Sequence, residues 1–310
     1  MSPGGVPRAL AARVAAQAKV NLRLRILARE TSGYHQLETL FLRIALADDV
    51  HVRATDGARS LDVAGDVDPR RLGAPERNLA WRAAATYAET TGWPAGFAIE
   101  LEKRIPVGGG LGGGSADAAA VLRALDAMAP APLGDAALLA IAARLGADVP
   151  FLTSEWAYAM AWGRGERLLG LTAPAEREVL LVLPSFAVNT TEAYGWLATQ
   201  DDAAHSPSPD AGVLDPHSLS EWPVIARLSF NDFESIVAAR HPSVHVALAQ
   251  LRDHGCAPAM MSGSGSSLFG VLPEGVRVNV PRFDGEHGGP PPHVLLTRTA
   301  TDVAPVVLVA

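Results

Sequence analysis

Six glycines crowd seven positions from Gly108 to Gly114, broken only by Leu111, with Pro106 and Val107 before them and Ser115 and a run of alanines after. Glycine has no Cβ, so its backbone N–H groups approach a ligand closely, and a helix N-terminus adds unsatisfied donors and a positive dipole end. A glycine loop opening into a helix therefore favours an anion, most often phosphate. A plain strand-to-helix turn needs far fewer glycines. Gly108, Gly110 and Gly113 also fit the G-x-G-x-x-G spacing of a dinucleotide fold. That fold requires the helix to feed a second strand ending in an acid roughly 20 residues on, whereas here a second helical pattern comes next, LGDAALLAIAARLG at residues 133–146. A Walker loop needs a lysine before its serine, and Gly114 runs directly into Ser115. The protein-kinase triplets H-R-D and D-F-G are missing too, the nearest match being D-F-E at Asp232.

Such a loop must be delivered by a strand and carried away by a helix. FAIELEKRIPV (residues 97–107) alternates into the glycines as a strand does, and residues 115–128 are helical by propensity with Ser115 as N-cap. RNLAWRAAATYAETTG (77–92) predicts a helix capped by Asn78 and stopped by Gly92; Gly146 ends the helix of 133–146. AKVNLRLRIL (18–27) alternates at period two, the mark of a half-buried strand, and Gly33 turns the chain into further β-type segments. REVLLVLPSFAVNTTEAY (177–194) reads as a buried strand, a turn and a helix start. Residues 199–223, rich in Pro, Ser and Asp, predict a long surface excursion. Two helices come after it at 230–255, with Asn231 and Asp232 as a capping pair, then a strand, a glycine-serine loop and a strand at 257–273. FDGEHGGPPP (283–292) reads as a flexible connection and HVLLTRTA (293–300) as the closing strand. The chain shows neither a fixed repeat nor coiled-coil heptads.

Length and composition bound the class. At 310 residues, two domains are expected, and 48% hydrophobic with 19% charged residues describes a globular chain with a large core. A net charge of −7 argues against nucleic acid as a partner. The sequence contains no run of about 20 apolar residues, so no membrane partner is expected. One cysteine, Cys256, forms neither an internal disulfide nor a multi-thiolate zinc site, which fits a reducing, cytoplasmic compartment. The histidines lack metal-ligand spacing such as H-E-x-x-H. Residues before Glu30 carry arginines and no acid, as a transit peptide would, but 18–27 read better as a folded strand, with residues 1–12 a loose tail.

PVGGGLGGGSADAAA resembles the second motif of the GHMP small-molecule kinase superfamily, which includes galactokinase, homoserine kinase and mevalonate kinase. AKVNLRLRIL resembles its first motif and MMSGSGSSLFGVL its third, in the family's order over residues 19–269. Within it, AKVNL, GYH at 33–35, LGADVPF at 145–151 and NTTEAY at 189–194 are similar to the 4-diphosphocytidyl-2-C-methyl-D-erythritol kinases of the non-mevalonate route to isoprenoid precursors. The resemblance implies an α/β (α+β) fold of two domains: a ribosomal protein S5-like one over residues 1–172 and a ferredoxin-like one over 173–310, with the site between them. It implies ATP-dependent phosphorylation, with magnesium, of the erythritol 2-hydroxyl of a substrate carrying a cytidine diphosphate group. Monomer and homodimer both stay open.

The same resemblance assigns roles. Pro106, Val107, Gly108, Gly109, Gly110, Leu111, Gly112, Gly113, Gly114 and Ser115 would hold the ATP phosphates, Ser115 being available to a phosphate oxygen or to magnesium. Lys19 and Asp148 are the catalytic pair, a carboxylate to take the alcohol's proton and an ammonium to orient it and offset developing charge. Tyr34 and His35 suit a cytosine ring and edge, with Tyr194, where the family more usually has phenylalanine, on the base's other face. Asn21 and Thr190 would contact substrate, and Gly263, Ser264 and Gly265 form a second flexible turn that closes over the ligands. No acidic cluster marks a metal cage, and magnesium often binds mainly through substrate phosphates. The rival readings are another GHMP kinase, acting on homoserine, mevalonate or a sugar, and a nucleotide-binding regulator of the same fold without catalysis.

Overall fold

A computed structural model describes residues 10–30, 35–67, 73–198, 215–276, 282–283 and 290–309. The chain opens with two long antiparallel strands, β1 (Ala11–Arg29) and β2 (His35–Thr55), succeeded by β3 (Arg59–Gly65). A helix, α1 (Leu79–Thr91), leads to β4 (Gly96–Lys103), which delivers the glycine loop. Three helices come next, α2 (Gly113–Met128), α3 (Asp135–Leu145) and α4 (Val149–Thr153), then the hairpin strands β5 (Tyr158–Gly163) and β6 (Arg167–Gly170). The sequence pattern does not mark β3, β5 or β6.

The second half runs β7 (Glu178–Leu183), α5 (Thr190–Leu197), α6 (Trp222–Leu228), β8 (Phe230–Asn231), α7 (Glu234–Arg240) and α8 (Ser243–Asp253). It closes with β9 (Ala259–Met261), β10 (Leu268–Val271), β11 (His293–Arg298) and β12 (Val306–Val309). Two sheets result. The larger has the order β12-β1-β2-β4-β3, with β5 and β6 continuing from β2 and β8 joining β1; the smaller is β11-β7-β10-β9.

Alanine sets how closely the helices sit on the larger sheet. Ala80, Ala83 and Ala84 of α1 and Ala116, Ala119 and Ala120 of α2 are all buried in one core with Val20, Leu22 and Leu42. Such short side chains let the helices approach closely and pack densely. Asn78 caps α1 by accepting from the Ala80 N–H at 2.8 Å, and Gly92 ends it in the left-handed region at φ 72°, as the pattern predicts. A second core lies under the smaller sheet, where Leu180, Val182 and Leu268 meet Ile236, Val237, Leu248 and Leu251 of α7 and α8.

Several sequence expectations are corrected. Ala11 and Ala12 belong to β1, not to a tail: Ala12 is fully buried and pairs with both Val52 and Leu308. The strand at β11 is not the last, because β12 returns to the edge of the larger sheet and pairs with β1. Ser115 does not cap α2. The helix begins at Gly113 behind Gly112, whose φ of 74° only glycine adopts readily, and the Ala116 N–H closes the first turn onto the Gly112 carbonyl at 2.8 Å. Trp222 and Pro223 start α6 rather than ending a loop, with Pro at the helix position where its missing N–H costs nothing. Tyr34, the Gly33 turn, residues 199–214 of the excursion and residues 284–289 of the late connection lie outside the described residues.

Candidate active site

The polar face of β1 supplies Lys19 and Asn21, while the alternate residues Val20 and Leu22 point into the core. The β1–β2 ladder shifts register between Gln17 and Lys19 and again between Asn21 and Arg23. Such irregularities re-aim side chains, and here they bracket the two residues that face the cavity. The Lys19 Nζ lies 3.2 Å from Asp148 Oδ2 and 2.7 Å from Asn21 Oδ1. Asn21 Nδ2 donates in turn to Thr39 Oγ1 at 2.8 Å, and that hydroxyl donates to the Arg23 carbonyl at 2.6 Å. Lys19 thus has its direction fixed from behind. Its side chain is 4% exposed while that of Asp148 is 30% exposed, so the carboxylate is the partner open to a ligand.

Asp148 stands at the N-terminus of α4, where a capping role would be the ordinary one. Its carboxylate turns to Lys19 instead. The helix is held from its other end by Arg43, a fully buried guanidinium that donates to the carbonyls of Phe151, Leu152 and Ser154 at 2.9–3.0 Å and to that of Trp156 at 3.1 Å.

The glycine loop is fastened to this strand by the Lys19 N–H, which donates to the Leu111 carbonyl at 3.0 Å. Its glycines are needed for space as well as for dihedral angle. A Cβ on Gly112 would press on Lys19 Cγ and Cε at 3.1 Å, and one on Gly110 would collide with the Ser262 carbonyl. The third motif packs there: Ser262 Oγ donates to the Gly110 carbonyl at 3.0 Å, and the Ser267 N–H to the Gly109 carbonyl at 3.1 Å. Ser264 Oγ meets Thr190 Oγ1 at 3.0 Å. Asn189 caps α5 and so fixes where Thr190 and Tyr194 stand.

Beneath the loop, Lys103 at the end of β4 is buried between Asp48 and Asp117, with Asp117 Oδ2 at 2.5 Å. Asp48 Oδ1 also accepts from the Arg104 and Ile105 N–H groups, at 2.5 and 2.8 Å, tying the loop's entry to β2. Burial works against the Lys103 charge, yet Asp117 and Asp48 outweigh it and leave its pKa above the usual lysine value. The Asp117 carboxyl is pushed up, first by burial and then, against the pull of Lys103, by the second carboxylate at Asp48. Two acids share one cation, and neutralising one of them balances the charge.

One cavity of about 1450 Å³ joins these groups. Pockets for a single small ligand run to roughly 300–1,000 Å³, so this one has room for two. Pro106 to Ser115 line it without a gap, together with Lys19, Asn21, His35, Asp148, Thr190, Tyr194, Gly263 and Ser264. Gly265 lies behind the lining, against Met261 Sδ. The His35 imidazole stacks on Tyr194, and the edge of the Tyr194–Phe233 pair closes that corner. The Tyr194 hydroxyl is pushed up to about 12, by burial and then by the Asp148 charge, so it stays protonated at neutral pH. Sequence reading misses Lys103, Asp117, Arg144 and Arg164, which also line the cavity. Nothing in their spacing marks them: Arg144 reads as an ordinary last-turn residue of α3, Lys103 as the polar side of an alternating strand. No group of three His, Cys, Asp or Glu suited to a metal ion occurs among the described residues. No helix among them is long and apolar enough to cross a membrane.

Models of known families match in two places, the GHMP kinases N terminal domain at residues 78–155 and the GHMP kinases C terminal domain at 218–282. A 4-diphosphocytidyl-2-C-methyl-D-erythritol kinase of Parvibaculum lavamentivorans is 39% identical over 258 residues, covering 83% of this chain and 87% of the relative. One of Heliobacterium modesticaldum is 35% identical over 302 residues, covering 93% and 95%. Among solved structures, a 4-(cytidine 5'-diphospho)-2C-methyl-D-erythritol kinase superposes with a TM-score of 0.67 at 36% identity, covering 84% of this chain and 89% of that one. A homoserine kinase of Cytophaga hutchinsonii, 19% identical, shares the fold with a TM-score of 0.64, covering 87% of each chain.

Proposed function

The chain belongs to the 4-diphosphocytidyl-2-C-methyl-D-erythritol kinases of the GHMP superfamily, and from that premise we propose that its cavity transfers the γ-phosphoryl group of ATP to the 2-hydroxyl of the cytidyl-methylerythritol substrate, giving the 2-phosphate and ADP. The observation that carries the assignment of roles is the meeting of Lys19 with Asp148 at 3.2 Å, beside a glycine loop that Lys19 itself fastens.

The loop suits triphosphate. Its glycines leave no Cβ in the way, and the first turn of α2 offers the free N–H groups of a long helix with its positive end toward the phosphates. Magnesium, when bound, offsets phosphate charge; it would be held mainly by ATP oxygens, with the Ser115 hydroxyl as the chain's contribution. Asp148 accepts a hydrogen bond from the substrate hydroxyl and aims its oxygen at the γ-phosphorus. The new O–P bond forms as the bond to the β,γ-bridging oxygen breaks, the electron pair leaves with ADP, and the alcohol proton passes to Asp148. Lys19 holds the carboxylate in line and offsets charge that gathers on the transferring oxygens.

The substrate's base goes to the corner of His35 and Tyr194, and Tyr34, the residue before His35 in sequence, is proposed as a further aromatic face. Thr190 and Ser264 present paired hydroxyls to the same cavity, and Asn21 contacts the substrate while bracing Lys19. Two domains divide near Ala173 in this reading, with the C-terminal strand β12 reaching back to the first sheet. A cytoplasmic location and magnesium dependence belong to the same proposal.

The test is ADP release with ATP and magnesium, offering the cytidyl alcohol, homoserine, mevalonate and galactose in parallel. Turnover of the cytidyl compound and none of the others supports the pocket. Turnover of a different alcohol keeps the kinase and discards the base corner; silence on all four with ATP bound favours the regulator.

A further inference from the structure

Asn231 and Asp232 read in sequence as a pair that caps a helix, but α7 starts behind Phe233 with no side-chain cap of its own, and both side chains also bond segments far from it in sequence. Asn231 is 6% exposed and sits in β8, whose parallel pairing with β1 places it opposite Leu24, on the strand that carries Lys19 and Asn21. Its Nδ2 donates to the carbonyls of Met261 and Gly263, both at 2.8 Å, and its Oδ1 accepts from the Phe233 N–H at 2.9 Å. Both N–H donors are used. The orientation of the amide is unambiguous, because the flipped group would set an oxygen against two carbonyls and an NH₂ against an N–H.

The segment around Asn231 is itself anchored to β1. The Asp232 N–H donates to the Leu24 carbonyl at 3.1 Å, Asp232 Oδ2 accepts from the Ile26 N–H at 2.5 Å, and Arg23 Nη1 donates to the Leu228 carbonyl at 2.8 Å. Glu234 Oε2 accepts from the Met261 N–H at 2.9 Å, so the Met261 peptide groups are held on both sides from one short stretch. Immediately after Met261 the chain enters the glycine-serine turn. Gly263 stands at φ 59°, where a Cβ would lie 3.2 Å from the Gly110 carbonyl oxygen and 3.6 Å from Asn21 Oδ1. The turn therefore has a fixed position against both the glycine loop and the Lys19 strand, and Ser264 reaches Thr190 from it.

We infer that Asn231 is a positioning residue of this enzyme. From outside the cavity, its carboxamide sets the turn at residues 262–265 so that Ser264 and Thr190 present the acceptor alcohol in line with the glycine loop. The inference rests on the kinase reading for what the turn presents, while the clamp itself is a matter of geometry. Asparagine suits the task because its two donors sit on one short, planar arm. An aspartate of the same shape would turn an oxygen toward two carbonyls, and a buried pair of carbonyls losing its donors is expected to loosen the clamp about tenfold.

The experiment compares Asn231→Asp and Asn231→Ala with the wild type. Hydrogen exchange is read at the amides of residues 262–267, and steady-state kinetics are run with the cytidyl alcohol and ATP varied in turn, at a temperature where circular dichroism shows the variants folded. The expected result is exchange at least about tenfold faster in 262–267, KM for the alcohol raised about tenfold, and the Kd for ATP within about twofold of wild type. Unchanged exchange and unchanged KM, with only a lower melting temperature, would reduce Asn231 to a structural residue and overturn the inference. If the wild type itself leaves the cytidyl alcohol untouched, the kinase reading fails, and the exchange data still decide the clamp. Should Asn231→Asp not fold, Asn231→Ser, whose hydroxyl can still donate one bond, carries the same comparison.

Discussion

The imidazole of His35 lies flat on the phenol ring of Tyr194, with centroids 4.5 Å apart and planes 16° from parallel. A base stacked on that face of Tyr194 takes the imidazole's place and leaves His35 at its edge. Base-aromatic stacking contributes about 1–3 kcal/mol. Tyr194→Ala is therefore expected to raise KM for the cytidyl alcohol about tenfold with KM for ATP unchanged, and Tyr194→Phe to keep the wild-type value. Steady-state kinetics with each substrate varied decide it; equal KM values in the alanine variant would remove the base from this corner.

Asp148→Asn keeps the shape of the carboxylate but loses its basicity and its charge toward Lys19. ATP binding should persist while kcat falls at least about a hundredfold, the lower range for a positioned acid-base group. Lys19→Met should fall similarly. In the proposed mechanism the two act as one unit, so the double variant is expected to lose little more than either single one. Multiplied losses in the double variant would mean that the pair works independently.

Lys103→Met leaves Asp48 and Asp117 buried without their shared ammonium. Removing one partner of such a group costs about 3–5 kcal/mol, so urea denaturation should show a large loss of stability. Asp117→Asn should be mild by comparison, because it leaves one carboxylate facing one ammonium. The opposite ranking would contradict the charge balance drawn from the raised Asp117 and Lys103 pKa values.

Burial holds the Glu234 carboxyl above the usual carboxylate value, against the pull of the Met261 N–H, Arg252 and His245. An acid whose folded pKa exceeds its unfolded one adds stability below the unfolded value and loses it as pH rises through the folded value. Glu234→Gln escapes that loss and keeps an oxygen for the Met261 N–H. Relative to wild type, the variant should gain stability as pH rises from about 4.5, the ordinary carboxylate range. Denaturation midpoints at about pH 4.5 and about pH 8, on either side of that titration, read the difference. A constant gap between the two proteins would rule the titration out.

The local chemistry is written plainly in the chain. A run of glycines needs no partner to announce an anion loop, because freedom of φ and absence of Cβ are properties of each residue. The helix at residues 79–91 is likewise legible from its own cap and stop, since both lie next to it in sequence. Lys19, Asn21, Asp148, Thr190 and Tyr194 stand out through their motifs and do line one cavity. Their mutual distances come only from the fold, since a β-ladder, a helix start and a capped turn set them independently. Long-range pairings are the part that sequence could not show: β12 closing on β1, Lys103 between two distant acids, and Asn231 reaching across to Met261 and Gly263. Asn231 reads as a cap because short polar side chains bond their own backbone by default. That local bond is made, by Oδ1 with the Phe233 N–H, and tertiary packing adds to it by bringing two distant carbonyls within 2.8 Å of Nδ2.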